Sequence, residues 1–134
     1  MSSMSTASGR PHVELRLPAD SAFVSVLRTT SAGLAARLDF TLDDIEDLRM
    51  AVGEACAIVL TGATEGDLLA EFWLEQRTMT VRVSAPGAPT ELDPEEDFAW
   101  QVLTTLASEA KLEHTGDTVA LSLQFAALPL ETGV

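Results

Sequence analysis

The spacing of apolar and polar residues changes period along the chain, and each change predicts an element. Residues 12–18 (HVELRLP) alternate apolar and polar side chains, which is typical of a half-buried strand that ends at a proline. Apolar residues then recur every three or four positions over residues 21–38 and 42–60, a period that predicts two amphipathic helices. Residues 67–76 and 78–85 are predicted to form two strands joined by a tight turn.

The last third of the chain repeats this alternation of periods. A third helix is predicted over residues 97–111, followed by strands at 111–115 and 118–125 that form a hairpin across Gly116 and Asp117. The order is therefore β-α-α-β-β-α-β-β. This order predicts an α+β fold, a two-layer sandwich with the helices on one face of a mixed, mostly antiparallel sheet.

Local signals add caps and core positions to this outline. Asp20, Thr41 and Asp97 stand where helix N-caps are expected. The predicted inward positions of the three helices and the two tryptophans expected in the core are Phe23, Val24, Leu27, Leu34, Ala35, Leu38, Ile45, Leu48, Val52, Ala55, Val59, Trp73, Trp100, Leu103, Leu106, Ala107 and Ala110. Glu54 lies off the stripe of the second helix, among small and apolar neighbours.

Length and charge set the limits of this fold. The 134 residues suggest one domain at 12–125, with a disordered leader at 1–11 and a flexible tail at 126–134. Acidic residues outnumber basic ones by 21 to 8, and the net charge of −13 disfavours nucleic acid and acidic membrane surfaces as partners. A basic partner would be attracted, although such a charge also serves ordinary solubility.

Targeting signals and reactive residues are few. No apolar run reaches the roughly 18 residues that span a bilayer, and the leader lacks the apolar region of a secretory signal, so we expect a cytoplasmic protein. Cys56 is the only cysteine, which rules out an internal disulfide, and we interpret it as a small hydrophobic residue and not as a catalytic thiol. His12 and His114 have no ligand partners at suitable spacing, so no metal site is predicted.

Three segments together resemble a known family. The segments are DDIEDLRMAVGEAC, the first β-hairpin, and FAWQVLTTLASEA followed by KLEHTGDTVALSL. They resemble anti-sigma factors of the RsbW and SpoIIAB serine-protein kinase type, which have the GHKL (Bergerat-like) ATPase fold. The resemblance covers about residues 12–125. It is strongest to the actinobacterial anti-sigma group, in which the patterns LRxAVxEAC and FxWxVLxxLA occur together.

This resemblance implies a catalytic base but not its metal. The family carries a glutamate and, four residues later, an asparagine that holds Mg²⁺ on the same helix face. Glu54 matches the glutamate, which takes the proton of the target serine, whereas Ile58 stands in the asparagine position. An aliphatic side chain cannot bind a hard cation that needs oxygen ligands.

Two further nucleotide motifs of the family are also altered. The Asp-x-Gly that reads the adenine amino group is matched by Ala85 and Gly87 around a proline, so the acid is missing. The Gly-x-Gly that approaches the phosphates is matched by Asp97, Phe98 and Ala99, which adds a carboxylate and a ring where phosphate should lie.

The fourth motif, a Gly-Thr pair before the last strand, remains only in part. Gly116 and Thr118 are present, with Asp117 between them. The resemblance, with these substitutions, predicts that ATP and Mg²⁺ binding are absent or very weak, and that the chain has no cofactor. Glu54 would then be the remnant of a catalytic base; alternatively, it belongs to a polar network or faces solvent.

Partner-binding residues are expected on the first helix. Arg28 falls where the family has an arginine that grips the sigma factor or the antagonist protein, and Thr29 lies beside it. The alternative is an ordinary solvated arginine among surface hydroxyls. The acidic segment 91–97 replaces the family's ATP lid and is either a solvated loop or a docking surface for a basic partner.

The leading hypothesis is therefore an anti-sigma factor that sequesters an alternative, stress-type sigma factor without chemistry. The resemblance implies a homodimer through the sheet and release by an anti-anti-sigma factor of the STAS type. A second hypothesis keeps the enzyme, a serine-protein kinase that phosphorylates an anti-anti-sigma partner with Glu54 as base. A third is an interaction scaffold of this fold that binds no sigma factor.

Overall fold

The fold follows the predicted order of elements. The structure, a computed structural model, describes residues 9–63, 65–87 and 97–127. These residues form three helices and five strands, with a 3-10 turn at Ser21–Phe23 between the first strand and the first helix. The elements are β1 Val13–Pro18, α1 Val24–Ala36, α2 Leu42–Thr61, β2 Asp67–Glu75, β3 Thr78–Pro86, α3 Phe98–Leu106, β4 Glu109–Thr115 and β5 Thr118–Ala126.

The five strands form one sheet in the order β1-β2-β3-β5-β4, and every neighbouring pair is antiparallel. The predicted two-layer α+β architecture is confirmed, and the described strands contain no parallel pair. Because α2 packs against β3 and β5, the central strands, the longest helix lies over the middle of the sheet. None of the described helices is long and apolar enough to cross a membrane.

The core lies between the helices and one face of the sheet. Alternation along the central strands places Phe72, Val81 and Leu123 side by side in register, and all three are fully buried. Leu27 of α1 and Leu48 of α2 are buried in the same cluster. Each such side chain stabilises the fold by about 1.5–3 kcal/mol through removal of apolar surface from water.

The predicted N-caps are present. The Thr41 hydroxyl accepts from the Asp44 N–H at 3.1 Å, and the Asp44 carboxylate accepts in return from the Thr41 N–H at 3.1 Å, which forms a capping box at the start of α2. Asp97 accepts from the Trp100 N–H at 3.0 Å and begins α3. Asp20 accepts from the Ala22 N–H at 2.9 Å, although the element it caps is the 3-10 turn.

The predicted end of the third helix, residue 111, was wrong. Helix α3 ends at Leu106, and β4 begins at Glu109. Glu109 pairs with Gln124, and the Ser108 N–H donates to the Gln124 carbonyl at 2.7 Å. Residues 107–111 carry apolar residues at helical spacing, but pairing with β5 fixes them as a strand because tertiary context overrides weak local propensity.

Other differences concern single side chains and chain ends. Phe23, predicted to face inward, is exposed because it lies in the 3-10 turn that precedes α1. Trp73 is buried as predicted, but it follows Phe72 in β2 and therefore faces the opposite side of the sheet, where its indole N–H donates to the Gly9 carbonyl at 3.2 Å. Strand β5 extends through Ala126, one residue into the predicted tail.

Candidate functional site

Segments that are distant in sequence meet at one end of the sheet, and they include two of the four segments that the resemblance predicts to match nucleotide motifs. Pro86 pairs with Thr118 in register, and the Gly87 N–H donates to the Asp117 carbonyl at 2.7 Å. Gly87 also forms a bridge with Ala63, directly after α2. Gly116 has a φ of 62°, a conformation that suits glycine in the two-residue turn between β4 and β5. The fold therefore joins the altered adenine motif, the Gly-Thr motif and the end of α2.

Gly87 lies in close contact with the helix end. A Cβ at this position would overlap the Gly62 carbonyl oxygen and crowd the Ala63 Cα. The end of β3 is thus pinned between the end of α2 and the β4–β5 turn, and only glycine fits there. Residues 88–96, which include most of the predicted acidic segment, lie outside the described residues.

The two residues predicted from the resemblance to stand at the adenine and magnesium positions are apolar and buried. Ile58 is 5% exposed, Ala85 is 3% exposed, and both belong to the hydrophobic core cluster. A buried butyl group and a buried methyl group offer no oxygen to a cation and no acceptor to an amino group.

The start of α3 carries its own anion. The Asp97 carboxylate accepts a hydrogen bond from the Trp100 N–H, in the first turn of α3. In an anion-binding site, N–H groups at the start of a helix donate to phosphate oxygens instead. Phe98 is 77% exposed, so its ring extends into solvent and not into the interior. Ala99 and Trp100 are half-buried and pack against the core.

Glu54 has different surroundings from Ile58, although they are one helical turn apart. It is half-buried and lines an open groove between α1 and α2, together with Arg28, Glu46 and Arg49. The groove has two adjoining openings of about 420 and 740 Å³, which share Val24, Arg28 and Gly53. We call this surface the α1–α2 groove; its further lining residues are Ala19, Asp20, Ser21, Met50, Ala57, Leu60 and Thr61.

Arg28 lies at the junction of the two openings. It is half-buried, and its Nε atom is buried without a hydrogen-bond partner. A Cβ built on Gly53 would lie 3.5 Å from the Arg28 Cδ, an ordinary van der Waals contact, so the arginine stem passes directly over this part of α2. Thr29, its predicted companion, is exposed. The structure therefore brings Arg28 and Glu54 into one groove, while Thr29 does not line it.

The single cysteine lies inside the helical layer. Cys56 is fully buried, and burial raises the pKa of its thiol to about 12, against a smaller opposing effect of the nearby Arg28 charge. Within the described ranges, no three residues among His, Cys, Asp and Glu are grouped as metal ligands. His12 accepts from the Leu74 N–H through Nδ1 at 3.0 Å, and His114 is exposed on β4.

The groove could not be predicted from the sequence. Its lining by Arg49, Met50 and Gly53 depends on which face of α2 meets α1. One signal was available: between Val24 and Ala36, Arg28 is the only charged residue. A partly exposed helix with so few charges, in a chain with 22% charged residues, indicates a contact surface.

Comparison with known proteins gives relatives of one kind. No protein-family model matches the chain. The serine-protein kinase RsbW of Halalkalibacterium halodurans is 40% identical over 83 residues, which are 60% of this chain and 51% of that protein. The serine-protein kinase RsbW of Bacillus thuringiensis is 27% identical over 132 residues, and 82% of each protein is covered. The chain thus spans about half the length of the first relative and most of the second.

A solved structure agrees with the fold. The RsbU and RsbW domains of a Mycobacterium tuberculosis protein match with a TM-score of 0.67 at 16% identity. The match covers 87% of this chain and 33% of that one.

Proposed function

We propose that the chain is a cytoplasmic anti-sigma factor of the RsbW family, which the similarity to RsbW proteins supports. It would bind an alternative, stress-type sigma factor without using ATP. The observation that carries this proposal is the pair of buried apolar residues, Ile58 and Ala85, at the positions of the magnesium and adenine contacts. Binding by the charge-poor surface of α1 and the α1–α2 groove requires no nucleotide.

The altered nucleotide positions support the loss of catalysis. The Asp97 carboxylate already occupies the first turn of α3, so a phosphate there would meet a like charge. Each missing contact weakens nucleotide binding, and every 1.4 kcal/mol is about tenfold in affinity. Release of the sigma factor would then depend on competition by an anti-anti-sigma protein of the STAS type.

The first experiment tests the partner. The tagged chain is used to purify proteins from its own host cells, with and without added Mg-ATP, and bound proteins are identified by mass spectrometry. We expect a sigma subunit in both samples, and a weaker yield with Arg28→Ala than with Thr115→Ala, an exposed position on β4 far from Arg28 in the fold. Absence of any sigma subunit would instead favour an interaction scaffold.

The second candidate function is a serine-protein kinase that acts on an anti-anti-sigma partner. The names of the relatives and the accessible position of Glu54 favour it. Calorimetric titration with Mg-ATP, alongside RsbW of Bacillus thuringiensis as a positive control, separates the two candidates. Micromolar binding by this chain, or transfer of phosphate to a serine of the partner, would establish the kinase and refute the nucleotide-free proposal.

A homodimer through the sheet is part of the same proposal. By strand alternation, Ser84 and Ser122 of the central strands lie on the sheet face opposite the one that carries Val81 and Leu123, and they are 8% and 6% exposed. Light scattering during size-exclusion chromatography should give about twice the 14.3 kDa mass of the chain. A monomeric mass at micromolar concentration would contradict this arrangement.

A further inference from the structure

The α1–α2 groove is long enough for a helix. Its lining on α2 extends from Glu46 to Thr61, and fifteen residues of α-helix measure about 22 Å. Grooves between two helices commonly receive a third helix that lays an apolar face into them. The length corresponds to about four turns of such a segment.

One large apolar side chain is exposed within this groove. Met50, which lines it, is 56% exposed. Phe23 and Val26 are also exposed, in the turn before α1 and on α1, but neither lines the groove. An exposed methionine gives a partner an adaptable apolar contact.

The charges of the groove have no internal partners. Four charged side chains, Arg28, Glu46, Arg49 and Glu54, line one opening, and none of them forms an ion pair within the described part of the chain. The Arg28 Nε is inaccessible from the groove surface, so the groups that a partner can reach are the two carboxylates and the accessible parts of the two arginines. An approaching segment would therefore find acidic groups that are not already paired.

We propose that the α1–α2 groove binds an amphipathic helix of the sigma factor, with an apolar stripe flanked by lysine or arginine, and that Glu54 pairs with one of these basic residues. Glu54 is thus a docking residue, and its role does not depend on catalysis. The net charge of −13 attracts a basic segment at long range, and Glu46 and Glu54 offer it two carboxylates without ion-pair partners in the described part of the chain. The inference rests on the proposed sigma-factor binding.

The test measures affinity without nucleotide, so a catalytic role of Glu54 cannot contribute. The purified sigma factor recovered in the co-purification is titrated against the wild-type chain, Glu54→Lys, Glu54→Gln and the control Glu75→Lys. Glu75 is exposed at the end of β2, outside the groove, and gives the same change in net charge. We expect at least tenfold weaker binding for Glu54→Lys, about threefold for Glu54→Gln and less than twofold for Glu75→Lys.

A second pair of variants tests the apolar stripe. Met50→Asp places a carboxylate inside the groove, whereas Leu42→Asp places one at an 82% exposed position on the same helix, outside the groove. Met50→Asp should weaken binding at least tenfold, and Leu42→Asp should leave it within twofold. Circular dichroism checks that all variants remain folded.

The outcomes separate this inference from the function on which it rests. If the wild-type chain binds no sigma factor, the proposed function fails and the inference fails with it. If the wild-type chain binds but Glu54→Lys binds equally well, or no worse than Glu75→Lys, the groove is not the docking site while the anti-sigma function stands. Weaker binding by Glu54→Lys and Met50→Asp, with near wild-type binding by Glu75→Lys and Leu42→Asp, supports both the anti-sigma function and the docking site.

Discussion

Replacement of Ile58 by asparagine tests whether the nucleotide position is now part of the core. The substitution restores the residue type that the family uses to hold magnesium. At a position that is 5% exposed, however, it removes a packed butyl group and buries an amide. Loss of packing at such sites costs about 2–4 kcal/mol, and an amide without partners adds about 1–3 kcal/mol. We therefore expect a loss of about 4 kcal/mol, a large part of the 5–15 kcal/mol typical of a domain.

The free energy of unfolding is measured by urea denaturation, followed by circular dichroism. For a chain of this length, a loss of about 4 kcal/mol corresponds to a decrease of roughly 14 °C in Tm. Ile58→Val is the matched control, because it removes one methylene without adding a polar group and should cost about 1 kcal/mol. Calorimetry on the folded fraction of Ile58→Asn should detect no binding of Mg-ATP, since Ala85 still offers no acceptor to adenine.

Two results would refute this reasoning. If Ile58→Asn unfolds at the same urea concentration as Ile58→Val, the side chain is not packed as the structure has it. If Ile58→Asn binds Mg-ATP at micromolar concentration, the cavity persists and only one ligand was missing. Either result would favour the kinase hypothesis over the nucleotide-free proposal.

Two further predictions concern glycine and cysteine. Gly33→Ala should stabilise the fold by about 0.5–1 kcal/mol, because a Cβ there meets no atom within 4 Å. Gly87→Ala should destabilise it by more than about 2 kcal/mol, because its Cβ would overlap the Gly62 carbonyl. Urea denaturation compares the two variants, and equal effects on the free energy of unfolding would contradict the packing at Gly87. The Cys56 thiol keeps its proton to about pH 12 in the folded state but releases it near 9.0 when unfolded, so stability should fall by about 1.4 kcal/mol per pH unit above pH 9. Cys56→Ala should lack this decrease between pH 8 and 10, and a shared slope would show that another group causes it.

Much of the fold could be predicted because its signals are local. The Thr41 cap depends on residues within three positions, and the turn at Gly116 requires a positive φ that glycine accepts readily. Strand alternation likewise follows from the pattern of single side chains. The end of α3 could not be predicted in this way, because Ser108 and Glu109 leave the helix to pair with Gln124 in β5. That pairing depends on residues fifteen or more positions away.

The candidate site, too, could be predicted only where its signals are local in the sequence. The resemblance predicts that Ile58, Ala85 and Asp97 are substituted motif positions, and this prediction needs only the residue type at each place. It could not predict that Glu54 and Arg28 share a groove, because this depends on how α1 crosses α2. A hydrophobic period gives the buried face of a helix, but not which neighbour lies against its edges.

Helix α2 explains how catalysis could be lost while partner binding remained. Residues four apart on a helix differ by about 40° in direction, so Glu54 and Ile58 lie close together on its surface. This difference in direction is enough to give the two side chains different surroundings. Ile58 is buried in the core, whereas Glu54 lies at the edge of the groove with Arg28. If position 58 once held a magnesium ligand, as we propose, its replacement by isoleucine changed the core without changing the charges that a partner meets. On this proposal, a glutamate at position 54 is expected even in a chain that transfers no phosphate, because the proposed docking surface uses its charge.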